Sequence, residues 1–272
     1  MTPDTNDTIR DEVRAHYGEV ARKGSSCCGP ACCTPGAADT KTSASETALR
    51  LGYTNQDLAA APESANLGLG CGNPQAIAAL RPGETVIDLG SGAGFDCFLA
   101  ARQVGPTGRV IGVDMTPEMI GRARQNAAKA GLTNVEFRLG EIEHLPVPDG
   151  TADAIISNCV INLSPDKAAV FRDAFRALRP GGRLAISDVV ALGRLPEAIK
   201  RDLALYTGCV AGAATVDETT TLLRQAGFVD VEVRIDQEAS EAMAELTPGT
   251  DLRSLAASAS IEARRPREGA AT

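Results

Sequence analysis

The sequence has no tryptophan, and aromatic residues make up only 3% of its 272 positions. Proteins that bind RNA or single-stranded DNA stack bases on aromatic side chains, and this chain has few of them. No run of lysine or arginine stands out, and the net charge is -8 with a pI near 4.9. We therefore expect no nucleic-acid partner.

Long apolar runs are also missing. No stretch reaches the length that a membrane-spanning helix needs. The start of the chain, "MTPDTNDTIRDEVRAHYGEV", is polar and acidic, whereas a signal peptide has a basic end followed by an apolar run. The sequence therefore predicts a soluble, cytoplasmic protein without a membrane partner.

Histidine is scarce, since only His16 and His144 are present, but cysteine is abundant with eight residues. Cytoplasmic cysteines are normally reduced, so eight thiols favour binding of a soft metal or redox chemistry. Four of them lie within the stretch "CCGPACC" at residues 27–33, which has no core-forming pattern and can be a metal site, a redox element or a passive tail. The other four are single: Cys71, Cys97, Cys159 and Cys209.

From residue 84 onward, apolar runs of strand length alternate with segments of helical pattern. This alternation predicts βαβ units, and therefore an α/β fold with a parallel, Rossmann-like sheet and helices on both faces. The predicted strands are 85–90, 109–114, 134–140, 152–158 and 183–190, with 229–236 and 255–266 as two closing strands. The predicted helices are 7–22, 95–104, 116–131, 165–182 and 216–228.

A glycine loop, "DLGSGAG", follows the first predicted strand. Its glycines let the backbone turn tightly and approach a ligand, and the following helix directs free N–H groups toward that ligand. The spacing is not that of a dinucleotide fingerprint, because Phe95 stands where a third small residue is expected. Asp88 before the glycines suits a cationic ligand. Asp114, at the end of the second strand, can accept both hydroxyls of a ribose.

These motifs resemble the class I S-adenosylmethionine-dependent methyltransferases, over roughly residues 80–190. "VIDLGSGAGFD", "VIGVDMTPEMI", "GEIEHLPVPDGTADAIISNCVINL" and "ALRPGGRLAISD" are similar to successive motifs of that family. The resemblance implies a seven-stranded sheet and S-adenosylmethionine as cofactor, with the methionine part beside the glycines, the ribose on Asp114, and the adenine against Met115 and the pair Glu141 and Ile142. The predicted cofactor residues are Asp88, Gly90, Ser91, Gly92, Asp114, Met115, Glu141, Ile142 and Asn158.

The single cysteines predict a second site. Cys97 lies on the apolar face of a predicted helix and is interpreted as a small hydrophobe. Cys71, Cys159 and Cys209 can converge at the carboxyl edge of the sheet, although each alone is more often a buried small residue. Their spacing does not fit a zinc ribbon, and we expect no histidine or carboxylate cluster beside them. Three thiolates fit a soft, trigonal pyramidal centre such as arsenic(III).

The contexts "GCG" (70–72), "SNCVINL" (157–163) and "TGCVAGA" (208–214) resemble those of the arsenite methyltransferases, as does "HYG" near the start. The resemblance implies that Cys159 and Cys209 hold arsenic in all substrates, while Cys71 adds a third bond and takes part in a redox step. It further implies arsenite or its thiol adducts as substrate, a thioredoxin- or glutathione-type reductant, and a monomer. One upstream thiol would relay a disulfide with Cys71, and its candidates are Cys27, Cys28, Cys32 and Cys33, with Cys32 or Cys33 favoured.

The resemblance divides the chain into an N-terminal cysteine-bearing extension (1–79), a cofactor-binding core (80–190) and a C-terminal, substrate-side region (191–272). We expect the surroundings of the three site cysteines to favour thiolates. Two alternatives stay open. One is a small-molecule C- or O-methyltransferase, for which His144 would be the nearby base. The other is an arsenite-binding protein without catalysis.

Overall fold

The computed structural model describes residues 3–23, 43–200, 202–246 and 254–269. The helices are α1 (Pro3–Lys23), α2 (Ala44–Arg50), α3 (Asn55–Ala60), α4 (Pro74–Ala78), α5 (Phe95–Val104), α6 (Pro117–Ala130), α7 (Lys167–Ala177), α8 (Glu197–Lys200), α9 (Leu203–Thr207), α10 (Val216–Gln225) and α11 (Gln237–Leu246). The strands are β1 (Thr85–Leu89), β2 (Arg109–Asp114), β3 (Val135–Leu139), β4 (Ala152–Asn158), β5 (Leu178–Ala191), β6 (Val229–Ile235) and β7 (Ala256–Arg264).

The seven strands form one sheet in the order β3-β2-β1-β4-β5-β7-β6. The first five strands are parallel, as predicted, but β7 inserts between β5 and β6 and runs antiparallel to both. The sheet is therefore mixed: the predicted βαβ units form its parallel part, and the two predicted closing strands add the antiparallel pairings. The strand order reverses between β1 and β4, and ligands bind at such a switch point in open α/β sheets.

The predicted two-faced packing of helices is confirmed. One hydrophobic cluster joins Phe98 of α5 and Ala123 of α6 to one face of the sheet, and a second joins Phe171 of α7 and Leu223 of α10 to the other face. Since both faces are covered, the central strands bury nearly every residue: four of five in β1 are buried. This explains why β1 appears in the sequence as a continuous apolar run rather than an alternating one.

The largest boundary difference lies between α7 and β5. We predicted a helix over 165–182, but α7 ends at Ala177 and Leu178 already pairs with Ala152 of β4. The pairing shifts register before Arg183, because Pro180 lacks an N–H group and Gly181 has a φ of 83°. Pro180 and Gly181, which lie within the last residues of the predicted helix, thus belong to an irregular part of strand β5.

Helix α1 begins and ends farther out than predicted, and it packs beside the carboxyl edge of the sheet. Val13 and Val20 of this helix are buried, and Tyr17 is half-buried. Val13 joins a cluster that also contains Cys71 and Cys209, so the helix lies next to the predicted thiol site. Within the described residues, none of the helices combines the length and apolar character needed to cross a membrane.

Candidate active site

A cavity of about 870 Å³ lies at the carboxyl ends of β1, β2 and β4. Its wall includes the glycine loop after β1, the residues after β4, the loop that carries Cys71, the segment after α9, and one side of α1. Of the nine predicted cofactor residues, all except Glu141 line this cavity, and so do Cys71, Cys159 and Cys209. The two predicted sites are therefore parts of one continuous space.

The glycine loop needs its glycines for two different reasons. Gly90 has a φ of 67°, and a Cβ placed there would lie 2.4 Å from Cγ2 of Val160. Gly92 has a φ of 51°, but a Cβ there would meet nothing within 4 Å, because this position faces open space. The Ser91 hydroxyl between them is buried and has no hydrogen-bond partner among the described residues. A ligand can thus approach the backbone at Gly92 and satisfy Ser91.

Asp114 ties the end of β2 to the glycine loop. One carboxylate oxygen accepts a hydrogen bond from the N–H of Gly92 at 2.9 Å, and the other accepts from the N–H of Thr116 at 2.8 Å. Burial raises the pKa of Asp114 above its ordinary value, and these backbone hydrogen bonds oppose the rise. Thr116 is the N-cap residue of α6, but its side chain makes no capping hydrogen bond. The carboxylate keeps further acceptor capacity toward the cavity.

Asp88 is almost fully buried and has an unexpected partner. The Cys97 thiol donates to the Asp88 carboxylate at 3.1 Å, so Cys97 is not only the hydrophobe that we predicted. Burial, and next the charge of Asp96, raise the pKa of Asp88 well above its ordinary value. A cationic ligand beside Asp88 would offset this cost of burying a carboxylate.

The sequence analysis did not identify a polar network beside the glycine loop. The Tyr53 hydroxyl donates to Asp96 at 2.8 Å, and the Asn158 amide donates to the Tyr53 oxygen at 2.9 Å. Burial raises the pKa of Asp96, while the hydrogen bond from Tyr53 lowers it. Asp96 could have been noticed as an acid directly after the glycine loop, but no local pattern marks Tyr53, because it reaches the site through tertiary packing.

The three single cysteines converge as predicted. Cys71 follows a loop before α4, Cys159 directly follows β4, and Cys209 follows α9. The Cys159 thiol lies between the other two and interacts with each of them. The Cys209 thiol also donates to the backbone carbonyl of Cys159 at 2.9 Å. Three soft ligands therefore lie together in the wall of one cavity.

Two of these cysteines adopt a backbone conformation that non-glycine residues rarely take. Cys159 has a φ of 56° and Cys209 a φ of 64°. Among the described residues other than glycine, only Ala79 and Asp230 share a positive φ. Such conformations cost about 1–3 kcal/mol each and occur preferentially at functional sites. Both of these cysteines line the cavity.

A carboxylate joins the thiols, against our expectation. An oxygen of Asp188 on β5 and the sulfur atoms of Cys71 and Cys159 all lie within 4.8 Å of one another. Burial raises the pKa of Asp188 to about 6, although hydrogen bonds from the N–H groups of Val189 and Ile161 oppose the rise. The Ile161 bond, 2.9 Å long, holds the loop that carries Cys159. The sequence did not predict that Asp188 lies beside the thiols, because Asp188 reaches the site only through the pairing of β4 with β5.

The thiols do not favour the thiolate form, and this prediction is wrong. Burial raises the pKa of Cys71 to about 11. Interaction with Cys159, followed by burial, raises the pKa of Cys209 well above its ordinary value. The hydrogen bond with Cys209 lowers the pKa of Cys159, but contact with Cys71 and burial outweigh it. The nearby charge of Asp188 acts in the same direction on all three, so the free site holds protonated thiols at neutral pH.

Helix α1 covers one side of the cavity through polar contacts. Arg10 pairs with the buried Glu143 at 3.2 Å, and the Tyr17 hydroxyl donates to the carbonyl of Thr207 at 2.9 Å. Glu141, which we predicted beside adenine, instead faces α1 and pairs with Arg14 at 3.4 Å. Its two following neighbours in the sequence line the cavity in its place.

The other candidate residues from the sequence analysis are the two histidines and the four clustered cysteines. His144 is exposed and does not line the cavity, so it is not placed to act as a base there, whereas His16 of α1 does line it. Cys27, Cys28, Cys32 and Cys33 fall within residues 24–42, outside the described residues. Their predicted role stays a prediction.

Comparison with known proteins identifies the family. A methyltransferase-domain model matches residues 80–227, more than half of the chain. The arsenite methyltransferase of Halobacterium salinarum is 53% identical over 94% of this chain, and that of Aquipseudomonas alcaligenes is 39% identical over 85% of it. The chain spans about two thirds of the length of these relatives, 66% and 65% respectively.

A solved structure of an arsenic methyltransferase is also similar to this chain in its fold. The arsenic(III) S-adenosylmethionine methyltransferase of Chlamydomonas reinhardtii superposes with a TM-score of 0.60 at 34% identity, covering 85% of this chain and 76% of that one. The seven-stranded sheet with helices on both faces agrees with this structural similarity. The chain belongs to the arsenite methyltransferase family of methyltransferase-domain proteins.

Proposed function

We propose that this protein transfers a methyl group from S-adenosylmethionine to trivalent arsenic, first to arsenite and then to methylarsenite, and so serves arsenic detoxification. The observation that carries the proposal is the convergence of Cys71, Cys159 and Cys209 in the wall of the cavity that also holds the glycine loop. The names of the relatives support the same reaction.

The residues around the glycine loop fit S-adenosylmethionine. Asp88 offers a carboxylate to a cationic ligand, Ser91 an unpartnered hydroxyl, and Gly92 a backbone without a Cβ. Asp114 has acceptor capacity left for ribose hydroxyls, and Met115 lies in the same wall for contact with an aromatic ring. When bound there, the cofactor supplies a methyl group on a sulfonium, which is a strong electrophile.

Arsenic capture proceeds by thiol exchange, and its proton balance agrees with the raised pKa values. Each protonated cysteine thiol replaces one thiol on an arsenite adduct: a new As–S bond forms, an old one breaks, and the proton leaves on the departing thiol. No isolated thiolate has to persist in the buried site. Bonding to Cys71, Cys159 and Cys209 leaves arsenic trigonal pyramidal, with its lone pair free.

Methyl transfer then needs positioning more than acid–base chemistry. The arsenic lone pair attacks the methyl carbon, and the thioether departs with the electrons of the broken C–S bond. No proton leaves arsenic, so no general base is required at this step. Holding the two reactants in line can contribute about 7–11 kcal/mol. The strained backbone at Cys159 and Cys209 supports this role, because it holds two of the three ligands in fixed directions.

Transfer raises arsenic formally to the pentavalent state, and a second turnover needs two electrons. We propose that Cys71 and one upstream thiol, Cys32 or Cys33, supply them by forming a disulfide. A thioredoxin- or glutathione-type reductant then restores both thiols. Deleting residues 24–36 should slow multiple turnover on arsenite. Unchanged methylation of both arsenite and methylarsenite would make this stretch a passive tail.

We further propose that the protein works as a monomer in a reducing, cytoplasmic setting, and that 1–79, 80–190 and 191–272 act as extension, cofactor core and substrate-side region. The four described cysteines are all free, which supports a reducing compartment. Size-exclusion chromatography with light scattering measures the oligomeric state.

The central experiment incubates the purified full chain with arsenite, S-adenosylmethionine and glutathione, and separates methylated arsenicals by chromatography with mass detection. We expect methylarsenical and then dimethylarsenical products. No such product together with methylation of an organic acceptor would indicate a C- or O-methyltransferase. Arsenite binding without calorimetric binding of S-adenosylmethionine would indicate a non-catalytic arsenite-binding protein.

A further inference from the structure

The loop that carries Cys71 is held by two residues from different strands. The Cys71 N–H donates to the side-chain oxygen of Asn158 at 3.1 Å, and the Asn158 amide donates to the Gly72 carbonyl at 2.9 Å. The Ser258 hydroxyl donates to the Cys71 carbonyl. Hydrogen bonds on both sides of one residue hold its backbone, and with it the position of the Cα–Cβ bond that carries the thiol.

Ser258 belongs to β7, the strand that runs antiparallel between β5 and β6. It is 1% exposed and does not line the cavity, so its hydroxyl cannot reach arsenic or the cofactor directly. Its own N–H donates to the Ser240 hydroxyl at 2.9 Å, which fixes the serine in turn. A buried hydroxyl aimed at the carbonyl of a site cysteine acts through that cysteine alone.

The Cys71 loop also packs without spare room. A Cβ added at Gly72 would lie 2.9 Å from Cβ of Ser187 and 3.7 Å from the Ser258 hydroxyl. The Cys71 thiol itself lies 3.5 Å from the Ser187 carbonyl. Displacing this loop, by losing its anchor or by adding an atom, therefore moves the Cys71 thiol relative to the other two.

We propose that Ser258 is a positioning residue that holds the Cys71 thiol for the third As–S bond and thereby sets the preference for arsenite over methylarsenite. This inference rests on the proposed function. Arsenite offers three exchangeable positions to thiols, whereas methylarsenite offers two because its As–C bond does not exchange. The Cys159 and Cys209 pair, joined by its own hydrogen bond, serves the two-thiol substrate without Cys71.

The test compares Ser258→Ala with the matched control Ser260→Ala on the same strand. In the described structure, no hydrogen bond from the Ser260 hydroxyl to the Cys71 loop is present. Removing one buried hydrogen bond should lower kcat/KM for arsenite about five- to ten-fold and change kcat/KM for methylarsenite less than about two-fold. Ser260→Ala should change neither. Ser258→Thr, which keeps the hydroxyl, should retain the arsenite preference.

Equal losses on the two substrates would overturn the proposal, because a general structural role affects both, and so would the absence of any loss. If Ser258→Ala does not fold, Gly72→Ala displaces the same loop by the added Cβ and should show the same asymmetry. Equilibrium binding of arsenite and methylarsenite without S-adenosylmethionine separates this inference from the proposed function. The affinity for arsenite alone should fall in Ser258→Ala even if the wild-type chain methylates neither.

Discussion

The Cys209 thiol donates a hydrogen bond to the backbone carbonyl of Cys159 at 2.9 Å, although 50 residues separate the two cysteines. Both residues have left-handed backbones, so each loop presents its thiol at the cost of local strain. Cys71 differs, because its N–H donates to the Asn158 side chain and its carbonyl accepts from the Ser258 hydroxyl. The three thiols thus form a strained pair and a separately anchored third member.

This arrangement predicts unequal effects of cysteine substitution. Cys159→Ser and Cys209→Ser should each abolish methylation of arsenite and methylarsenite, because a hydroxyl is a poor ligand for a soft centre. Cys71→Ser should slow methylation of arsenite more than that of methylarsenite. The matched control is Cys97→Ser, whose side chain is buried outside the cavity wall and can still donate to Asp88. Initial rates on both arsenicals measure these effects, and a fully active Cys159→Ser would contradict the proposed site.

The pKa of the Cys71 thiol predicts a pH dependence of stability. Folding raises this pKa from 9.0 to about 11, so the folded state holds the proton more tightly than the unfolded state. The resulting stabilisation is complete below pH 9 and is lost as the pH rises toward 11. Between about pH 7.5 and pH 10, Cys71 should account for a loss of about 1.4 kcal/mol in unfolding free energy.

Urea denaturation of the wild-type chain and of Cys71→Ser at these two pH values measures that contribution. The serine variant lacks the titrating thiol, so its unfolding free energy should fall less on going to high pH. Parallel losses in the two proteins would show that another group causes the dependence.

Gly92 and Gly121, which both have open space at Cβ, should respond oppositely to alanine. Gly92 has a positive φ and lines the cavity, so Gly92→Ala should cost about 1 kcal/mol of stability and weaken binding of S-adenosylmethionine. Gly121 lies inside α6, where alanine should add about 0.5–1 kcal/mol and leave cofactor binding unchanged. Thermal unfolding and calorimetry test both, and equal cofactor affinity in the two variants would contradict a cofactor site at Gly92.

The Arg10–Glu143 ion pair between α1 and the cavity wall should contribute more to the free energy of unfolding than the exposed ion pairs of Arg14. Arg10→Met leaves Glu143, whose side chain is 4% exposed, without its guanidinium partner and should cost about 1.5–3 kcal/mol of unfolding free energy. It should also weaken cofactor binding, because α1 forms one side of the cavity. Arg14→Met, which removes more exposed pairs, should cost less than about 1 kcal/mol. Similar losses in the two variants would contradict the role assigned to Glu143.

Much of the fold was predictable because its signals are local. β1, β2 and β4 appear as short apolar runs, and the structure places them within a residue of the predicted bounds. The end of α7 was not predictable, because the bulge at Pro180 and Gly181 depends on pairing with β4. The antiparallel direction of β7 was missed for a similar reason, since strand direction is set by neighbours and not by composition.

Some residues of the candidate site were likewise predictable from the sequence, and others were not. The glycine loop, the strand-terminal acids and the family resemblance indicated nine residues, of which all except Glu141 line the cavity. Glu141 instead pairs with Arg14 of α1. Tyr53, Asp188 and Ser258 lie in unrelated sequence contexts and join the site only through packing. The raised pKa values of the thiols were also unpredictable, because burial and the charge of Asp188 cause them.

The sequence by itself determined the α/β architecture, the glycine loop and the identity of the three converging cysteines, because hydrophobic periodicity and motif spacing are properties of the chain. Only the tertiary structure decided how those cysteines are held and protonated. Left-handed backbones at Cys159 and Cys209, a buried carboxylate and a serine from the last strand act across long sequence distances. Such effects arise from proximity and desolvation, which exist only after the chain has folded.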